Sequence, residues 1–540
     1  MKIYKLCKPY LIEHKVQLIA YIIIAFAATI ISILSPYIIG RFLDNLIEGA
    51  NVEVVLHFCV IFGGLSFLRI IKKYIISLIY VRLQTEMGYR FNMNVIKHIQ
   101  NSSLSFIKHD SAYLNQRIYG DTNSLIVFCI TILKSVISNS VVLIVPFFIL
   151  LAINWPIAII LMVFLGLYII LYIAFKDTLY KVVHTFKEQQ NKLFSSLYEQ
   201  LKYVKLIKIN SIQPEMCQRA DTSFSVFKAA ALHNQKISYM YTGMDGFIST
   251  FAQIILFVVG GVQVLEGRFT VGMFTIFTSY FSMMLGATRY FFGLGDIYQN
   301  ALVSHDRLVE VLKQRQESNG MMVVDEILNV EMRDVSFSYS DRGNEVVKNL
   351  NTSFSKGKIY VLAGVNGAGK STIVSLMLGL YIDEYSGSIT YNGLDIRKID
   401  MINIRKNQVG FAEQEPTLIN GSIRYNLFFN DDNRSIDESL ISHIATLNME
   451  AFISKNSLSF QIDNSNTNTS GGEKQKIAIL KVLHKDPSLM IFDEPTSALD
   501  TETIKRFIKY LKQIKKDKII IIITHDDAIR NQCDEVIFVR

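Results

Sequence analysis

From Ser135 to Phe175 the chain carries no charged residue, and Asn154-Trp155-Pro156 divides this run into two equal halves. At about 1.5 Å of rise per residue, each half as a helix nearly spans a roughly 30 Å hydrocarbon core. The run therefore reads as a membrane hairpin, with Trp155, the only tryptophan, at an interface that favours its ring. Val16 to Gly40 is likewise free of charge, and Val54 to about Tyr80 is interrupted only by Arg69, Lys72 and Lys73. Gly246 to Leu265 and Phe269 to Thr288 form a second hairpin around Glu266-Gly267-Arg268, which makes six spans. Half of the 540 residues are hydrophobic and the mean hydropathy is +0.28, too apolar for one soluble domain.

Charge sets the expected orientation. The polar segments Arg82 to Asp121 and Lys176 to Asp245 together hold 15 Lys and Arg, whereas the three opposite loops hold only Arg41 and Arg268. An excess of cations marks the cytoplasmic side, so both termini and both long segments are expected there. Both segments read as helical extensions of the spans, with turns near Lys108 to Tyr113 and Asn210 to Pro214. Lys2, Lys5, Lys8 and Lys15 precede the first span without a small-residue cleavage pattern, which indicates an anchor rather than a removable signal. The net charge of +8 is spread over these membrane-flanking segments, and a nucleic-acid partner is rejected. Arg69, Lys72 and Lys73 share one helical face, which either lines a cavity for an anionic group or snorkels to inner-leaflet phosphates; the second is the expectation. Cys7, Cys59, Cys129, Cys217 and Cys533 are odd in number and lack C-x-x-C spacing, so reduced thiols are expected rather than a disulfide frame or a zinc site.

After Val311 the pattern changes. Residues 314–321 are polar and read as a linker between a membrane domain, 1–313, and a second domain, 322–540. Short β-rich runs there alternate with helical ones: Val335 to Tyr339, Ile359 to Ala363, Ser388 to Tyr391, Val409 to Ala412, Leu489 to Phe492 and Ile519 to Thr524. The expectation is an α/β domain around a largely parallel sheet.

Within it, Gly364-Val365-Asn366-Gly367-Ala368-Gly369-Lys370-Ser371-Thr372 fits the P-loop pattern, between an apolar strand and the helical run from Ile373 to Leu380. Glycines let successive amides turn inward, and the following helix start adds its positive end, making a nest for phosphates. Lys370 reaches the outer phosphates and the Ser371 hydroxyl ligates Mg²⁺. The strand Leu489 to Phe492 ends in Asp493 and Glu494, which suit a metal ligand and a group that orients or deprotonates the attacking water. Ser470-Gly471-Gly472-Glu473 is a capping box, and its two glycines weaken the helix unless a phosphate must approach bare backbone.

With the order of these motifs, the second domain resembles the nucleotide-binding domain of ABC transporters along essentially its whole length. Gly364 to Thr372 match Walker A, Thr469 to Glu473 the signature and Asp493-Glu494 Walker B. The resemblance implies that Tyr339 stacks on adenine, that Gln414 is the Q-loop glutamine reaching the metal, that Ser497 to Asp500 form the D-loop, and that His525 is the switch histidine. Catalysis would then rest on Glu494, His525 and Gln414. ATP would be held by Tyr339, Gly364, Asn366, Gly367, Gly369, Lys370, Ser371, Thr372, Ser470, Gly471, Gly472 and Asp500, and Mg²⁺ by Ser371, Gln414 and Asp493. The implied fold is an all-α six-helix membrane domain of exporter type followed by an α/β P-loop NTPase domain of ABC type, with Leu104 to Asp121 and Leu193 to Glu215 similar to its coupling regions. Such a chain is half a transporter, so a homodimer or a pair with a related half-transporter is implied.

Three departures stand out. Thr469 and Glu473 replace the usual Leu and Gln of the signature, which is expected to alter turnover. The chain stops after Val536 to Val539, short of the last elements of most relatives. Few residues precede the first span, which leaves no room for the peptidase domain of some peptide exporters.

The expected function is ATP-driven export by alternating access from the cytoplasm of a bacterial cell, against the alternatives of a lipid or multidrug exporter and of an ATP-gated channel or regulatory protein. The intact Glu494, Gln414 and His525 argue against the last. Resemblance to exporters of modified peptides of the bacteriocin or lantibiotic kind favours a peptide. In the sixth span Met273, Phe274, Phe277, Tyr280, Phe281, Met283 and Met284 offer an adaptable apolar surface for such a substrate, although such a stripe commonly serves packing or lipid contact.

Overall fold

The structure is a computed structural model that describes residues 2–49, 51–104, 111–339, 345–365, 367–429, 437–463, 469–496 and 499–539, with only the backbone at 111–117, 161, 296, 299, 455 and 456. The chain separates into two compact units, Met1–Ile96 with Asp110–Leu312, and Lys97–His109 with Lys313–Arg540.

The first unit is all helical: α1 Lys2–Glu13, α2 Lys15–Ile47, α3 Val52–Gln100, α4 Ser111–Ile153, α5 Trp155–Lys202, α6 Val204–Asn210, α7 Gln213–Leu265 and α8 Val271–Leu312. Six of these are long and apolar enough to cross a membrane. The expected hairpin turn is present between α4 and α5. Asn154 caps α5 by accepting from the Ile157 amide at 3.3 Å, while its Nδ2 donates to Gln263 Oε1 of α7 at 2.7 Å. At the other loops Asp44 of α2 caps α8, accepting from the Gly272 amide at 2.7 Å and from Thr270 Oγ1 at 2.8 Å. Gly272 is required there, since a Cβ would lie 2.0 Å from the Gly40 carbonyl oxygen.

The break expected near Asn210 is made by Ser211 at φ 54°, and a second one falls at Tyr203. The turn expected at Lys108 to Tyr113 lies largely outside the described residues. The apolar stripe of the sixth span is mainly packing: Phe277, Tyr280, Phe281 and Met284 are at most 3% exposed in a core shared with α5 and α7, and Tyr280 donates to the Ile33 carbonyl.

The second unit holds β1 Asn329–Phe337, β2 Val347–Ser355, β3 Lys358–Ala363, α9 Lys370–Met377, β4 Ser386–Tyr391, β5 Leu394–Asp395, α10 Met401–Asn407, β6 Val409–Ala412, β7 Gly421–Ser422 and α11 Ile423–Phe428. It continues with α12 Glu438–Thr446, α13 Glu450–Asn456, β8 Gln461–Ile462, α14 Gly471–Lys485, β9 Leu489–Asp493, α15 Thr501–Ile514, β10 Ile519–Ile523, α16 Asp527–Arg530 and β11 Glu535–Phe538. A parallel sheet in the order β11-β3-β10-β9-β6 lies beside an antiparallel one in the order β2-β1-β4-β5.

β9 and β10 are buried on both faces, as parallel strands are. Alternation divides their side chains between two cores: Leu489, Ile491, Ile519, Ile521 and Ile523 join α9, whereas Met490, Phe492, Ile520 and Ile522 join α14 and α15. The segment 314–321 is tied into this unit, with the Glu317 amide donating to the Asn101 carbonyl at 2.7 Å and that of Gly320 to Ile399 at 3.0 Å.

Candidate nucleotide site

The parity of β9 places the functional acids. Asp493, two residues after Ile491, falls on the side of α9, and its Oδ2 accepts from Ser371 Oγ at 3.0 Å. Burial pushes the Asp493 carboxyl up from its ordinary value, and the Ser371 hydrogen bond opposes the shift. Gly367 and Gly369, at φ 84° and 90°, turn the loop that precedes α9, and a Cβ on Gly369 would meet the Val346 carbonyl oxygen at 2.9 Å. Lys370 folds back over that loop. Its Nζ donates to the carbonyls of Gly364 at 2.8 Å and Val365 at 3.2 Å, and to His525 Nε2 at 3.3 Å.

Glu494 follows the strand at φ 43°, a strained setting for a side chain that large, and four groups fix it. Its amide donates to the Ile523 carbonyl at 2.8 Å, and its carbonyl accepts from Gln475 Nε2 at 2.7 Å. Gln414 Nε2 donates to its Oε2 at 3.0 Å, and His525 Nε2 lies 3.4 Å from Oε1. The site thus gathers a cation, a hydroxyl, two carboxylates, an amide and an imidazole, a set able to bind a magnesium triphosphate and aim a water at it.

The expected residues divide. Lys370, Ser371, Asp493, Glu494, Gln414 and His525 are brought together, with Thr372 beside them hydrogen-bonded through Oγ1 to the Tyr339 hydroxyl at 3.0 Å. The Tyr339 ring is 44% exposed and leans edge-on against Phe337 and Tyr381. Among the described residues, Ser470, Gly471, Gly472 and Asp500 have no hydrogen bond to this cluster. Ser470 caps α14 in the expected box, its amide donating to Glu473 Oε2 at 2.7 Å, and open space surrounds the Gly471 Cα. Asp500 caps α15, and its bonds from Thr503 hold its carboxyl down at about 2. Asn366 and Ser497 lie outside the described residues. Sequence reasoning missed Gln475, 2% exposed among apolar neighbours on α14; a glutamine on the buried face of that helix was the available signal.

The ABC transporter family matches residues 347–497, and the ABC transporter transmembrane region matches 18–288, half of the chain. The chain belongs to the ABC transporters. This transporter is 25% identical over 553 residues to the ATP-dependent lipid A-core flippase of Syntrophus aciditrophicus, covering 100% of this chain and 90% of that one. It is also 25% identical over 547 residues to the lactococcin-A transport/processing ATP-binding protein LcnC of Lactococcus lactis, covering 98% and 74%. The ABC transporter B family member 1 of Dictyostelium discoideum is 32% identical over 292 residues, which are 53% of this chain and 32% of that protein. In fold, a bacterial Atm1-family ABC exporter with ATP bound superposes with a TM-score of 0.83 at 18% identity, over 98% of this transporter and 94% of that chain. The transporter is an integral membrane ATPase of exporter architecture that uses ATP to drive export.

Proposed function

We propose that the transporter exports an amphipathic peptide from a bacterial cytoplasm as a dimer, with Mg·ATP bound by the residues gathered around Glu494. The arrangement that carries the ATP-driven part is the Lys370, Ser371, Asp493, Glu494, Gln414 and His525 cluster. Ser371 Oγ and Asp493 Oδ2 offer adjacent hard oxygens in a partly buried pocket, a donor set that fits Mg²⁺, with the Gln414 amide oxygen as a third. When bound, the ion neutralises charge on the phosphates. Lys370 exchanges its loop carbonyls for the outer phosphates, Glu494 orients the water and takes its proton, and His525 contacts the γ-phosphate. Tyr339 supplies the exposed ring for adenine.

The dimer follows from Ser470, Gly471 and Gly472. Their helix start is uncovered and, among the described residues, makes no bond to the P-loop of its own chain, which leaves it available to the γ-phosphate of an ATP held by a second copy. Orientation follows the charge asymmetry of the loops, with both termini and the ATPase domain cytoplasmic.

A peptide is supported by the likeness to a lactococcin transport protein, and the equal identity to a lipid A-core flippase keeps a lipid as the second reading. ATPase activity of the reconstituted transporter, screened against amphipathic peptides and against lipids, decides between them. Saturable stimulation by peptides supports export of peptides; stimulation by lipids alone overturns it.

A further inference from the structure

Helices α2 and α3 lie antiparallel, and ring contacts between them fix the register: Phe42 stacks on Phe58 with ring centres 3.7 Å apart, and the Tyr21 and Tyr80 rings are 6.4 Å apart. Between these levels Arg69 Nη2 donates to Ser35 Oγ at 2.5 Å. Interpolation between the Ser35–Arg69 and Tyr21–Tyr80 levels sets Lys72 opposite Ile31 and Lys73 opposite Ile30. The charge-free stretch of α2 runs from Val16 to Gly40 and has its middle at Ala28. At about 1.5 Å per residue, the two lysines lie within about 5 Å of the middle of that stretch, and Arg69 about 10 Å from it. This depth is well away from the inner-leaflet phosphates to which the three cations were expected to reach.

Charges at such depth face a polar path or a counter-ion. The chain supplies no counter-ion from either helix, since no Asp or Glu occurs between Val16 and Leu43 or between Val54 and Thr85. Among the described residues, no ion pair includes Arg69, Lys72 or Lys73. Arg69 and Lys73 are exposed and Lys72 is half-buried. Across from them, Ser35 of α2 accepts from Arg69 while its own hydroxyl is bonded back to the Ile31 carbonyl. Over about one helical turn these three cations meet the Ser35 hydroxyl and, among the described residues, no carboxylate.

Resting on the exporter reading, we propose that Arg69, Lys72 and Lys73, with Ser35, form an anion-binding subsite midway across the membrane domain, which takes the phosphate or carboxylate of an amphiphilic molecule. The anionic group belongs either to the transported molecule or to a bilayer lipid, and the two sources are separable. Arg69 offers two parallel donors to an oxyanion, and the lysines act as point charges one helical turn further in.

The test uses the full chain in nanodiscs, comparing the parent with the triple variant Arg69→Gln, Lys72→Gln, Lys73→Gln and with the charge-keeping Lys72→Arg, Lys73→Arg. Binding of dodecyl phosphate is measured by calorimetry in phosphatidylcholine, and thermal stabilisation is measured on replacing part of the phosphatidylcholine with phosphatidylglycerol. Charge-assisted hydrogen bonds predict that the triple variant binds dodecyl phosphate about tenfold or more weakly, or loses the phosphatidylglycerol effect, while the charge-keeping variant retains the parental response. The arm that changes identifies the source as free amphiphile or lipid headgroup. Equal responses of parent and triple variant in both arms overturn the subsite. Basal ATPase separates this outcome from failure of the exporter reading: it persists in the triple variant if only the subsite is wrong, and is absent from the parent if the exporter reading is wrong.

Discussion

Gln475 Nε2 donates to the backbone carbonyl of Glu494 at 2.7 Å, so the helix that begins at Ser470 is tied within one chain to the residue proposed to aim the water. Gln475→Leu keeps the volume and deletes the donor, leaving that carbonyl unsatisfied beside a residue already at positive φ. An unsatisfied buried acceptor costs about 1–3 kcal/mol. The expected result is a kcat about tenfold lower with nucleotide affinity within about twofold of the parent. An unchanged kcat in steady-state ATPase assays removes Gln475 from the positioning of Glu494.

Where α2 approaches α8, Gly272→Ala forces a methyl against the Gly40 carbonyl and against the Asp44 carboxylate that caps α8. Overpacking at a site with backbone on one side costs about 1–3 kcal/mol. Thermal unfolding in detergent is expected to show a lower midpoint for this variant, whereas Gly267→Ala, where no atom lies within 4 Å, strains only its own backbone at φ 69°. Equal midpoints for Gly272→Ala and the parent contradict the close approach of α2 and α8.

His443 is 5% exposed, and its Nε2 shares a hydrogen bond of 2.7 Å with the Tyr510 hydroxyl, between α12 and α15. Burial lowers its pKa below the ordinary histidine value; His484 of α14 adds to this, while Asp486 and Asp437 act against it. The unfolded chain therefore binds the proton more readily. Stability is complete above the ordinary histidine pKa of about 6.5 and falls as pH drops through the lowered native value. Replacing the imidazole by an amide in His443→Gln is expected to flatten the dependence of the melting temperature between about pH 7 and pH 5. An identical slope in the two proteins refutes the assignment.

Sidedness has a direct check. With the exposed Cys59 and Cys217 changed to serine, a thiol reagent that cannot cross membranes is expected to label Gly267→Cys in intact cells and to spare Gln213→Cys. The opposite pattern inverts the proposed orientation.

How far the sequence carries differs from part to part, for physical reasons. The hairpin at Asn154-Trp155-Pro156 was legible because uncharged length and a helix-breaking turn act locally, and the P-loop, Asp493 and Glu494 were legible because their chemistry demands fixed spacing. β2 was not, since Val347–Ser355 is a strand carrying Lys348, Asn349, Asn351 and Thr352, with little apolar signal. Gln475 was missed because its role depends on a contact 19 residues away. The sixth-span stripe named the right side chains, but helix packing turned Phe277, Tyr280 and Phe281 into core. The depth of Lys72 and Lys73 depends on pairing between helices, which spacing along one helix does not give.

ATP binding and turnover of the reconstituted Glu494→Gln variant test the central claim, that this cluster hydrolyses ATP with Glu494 directing the water. Lys370, Ser371 and Asp493 remain in place to hold the nucleotide, so ATP is expected to bind with parental affinity while turnover falls by about 10²–10⁴-fold. Parental turnover in that variant contradicts the account.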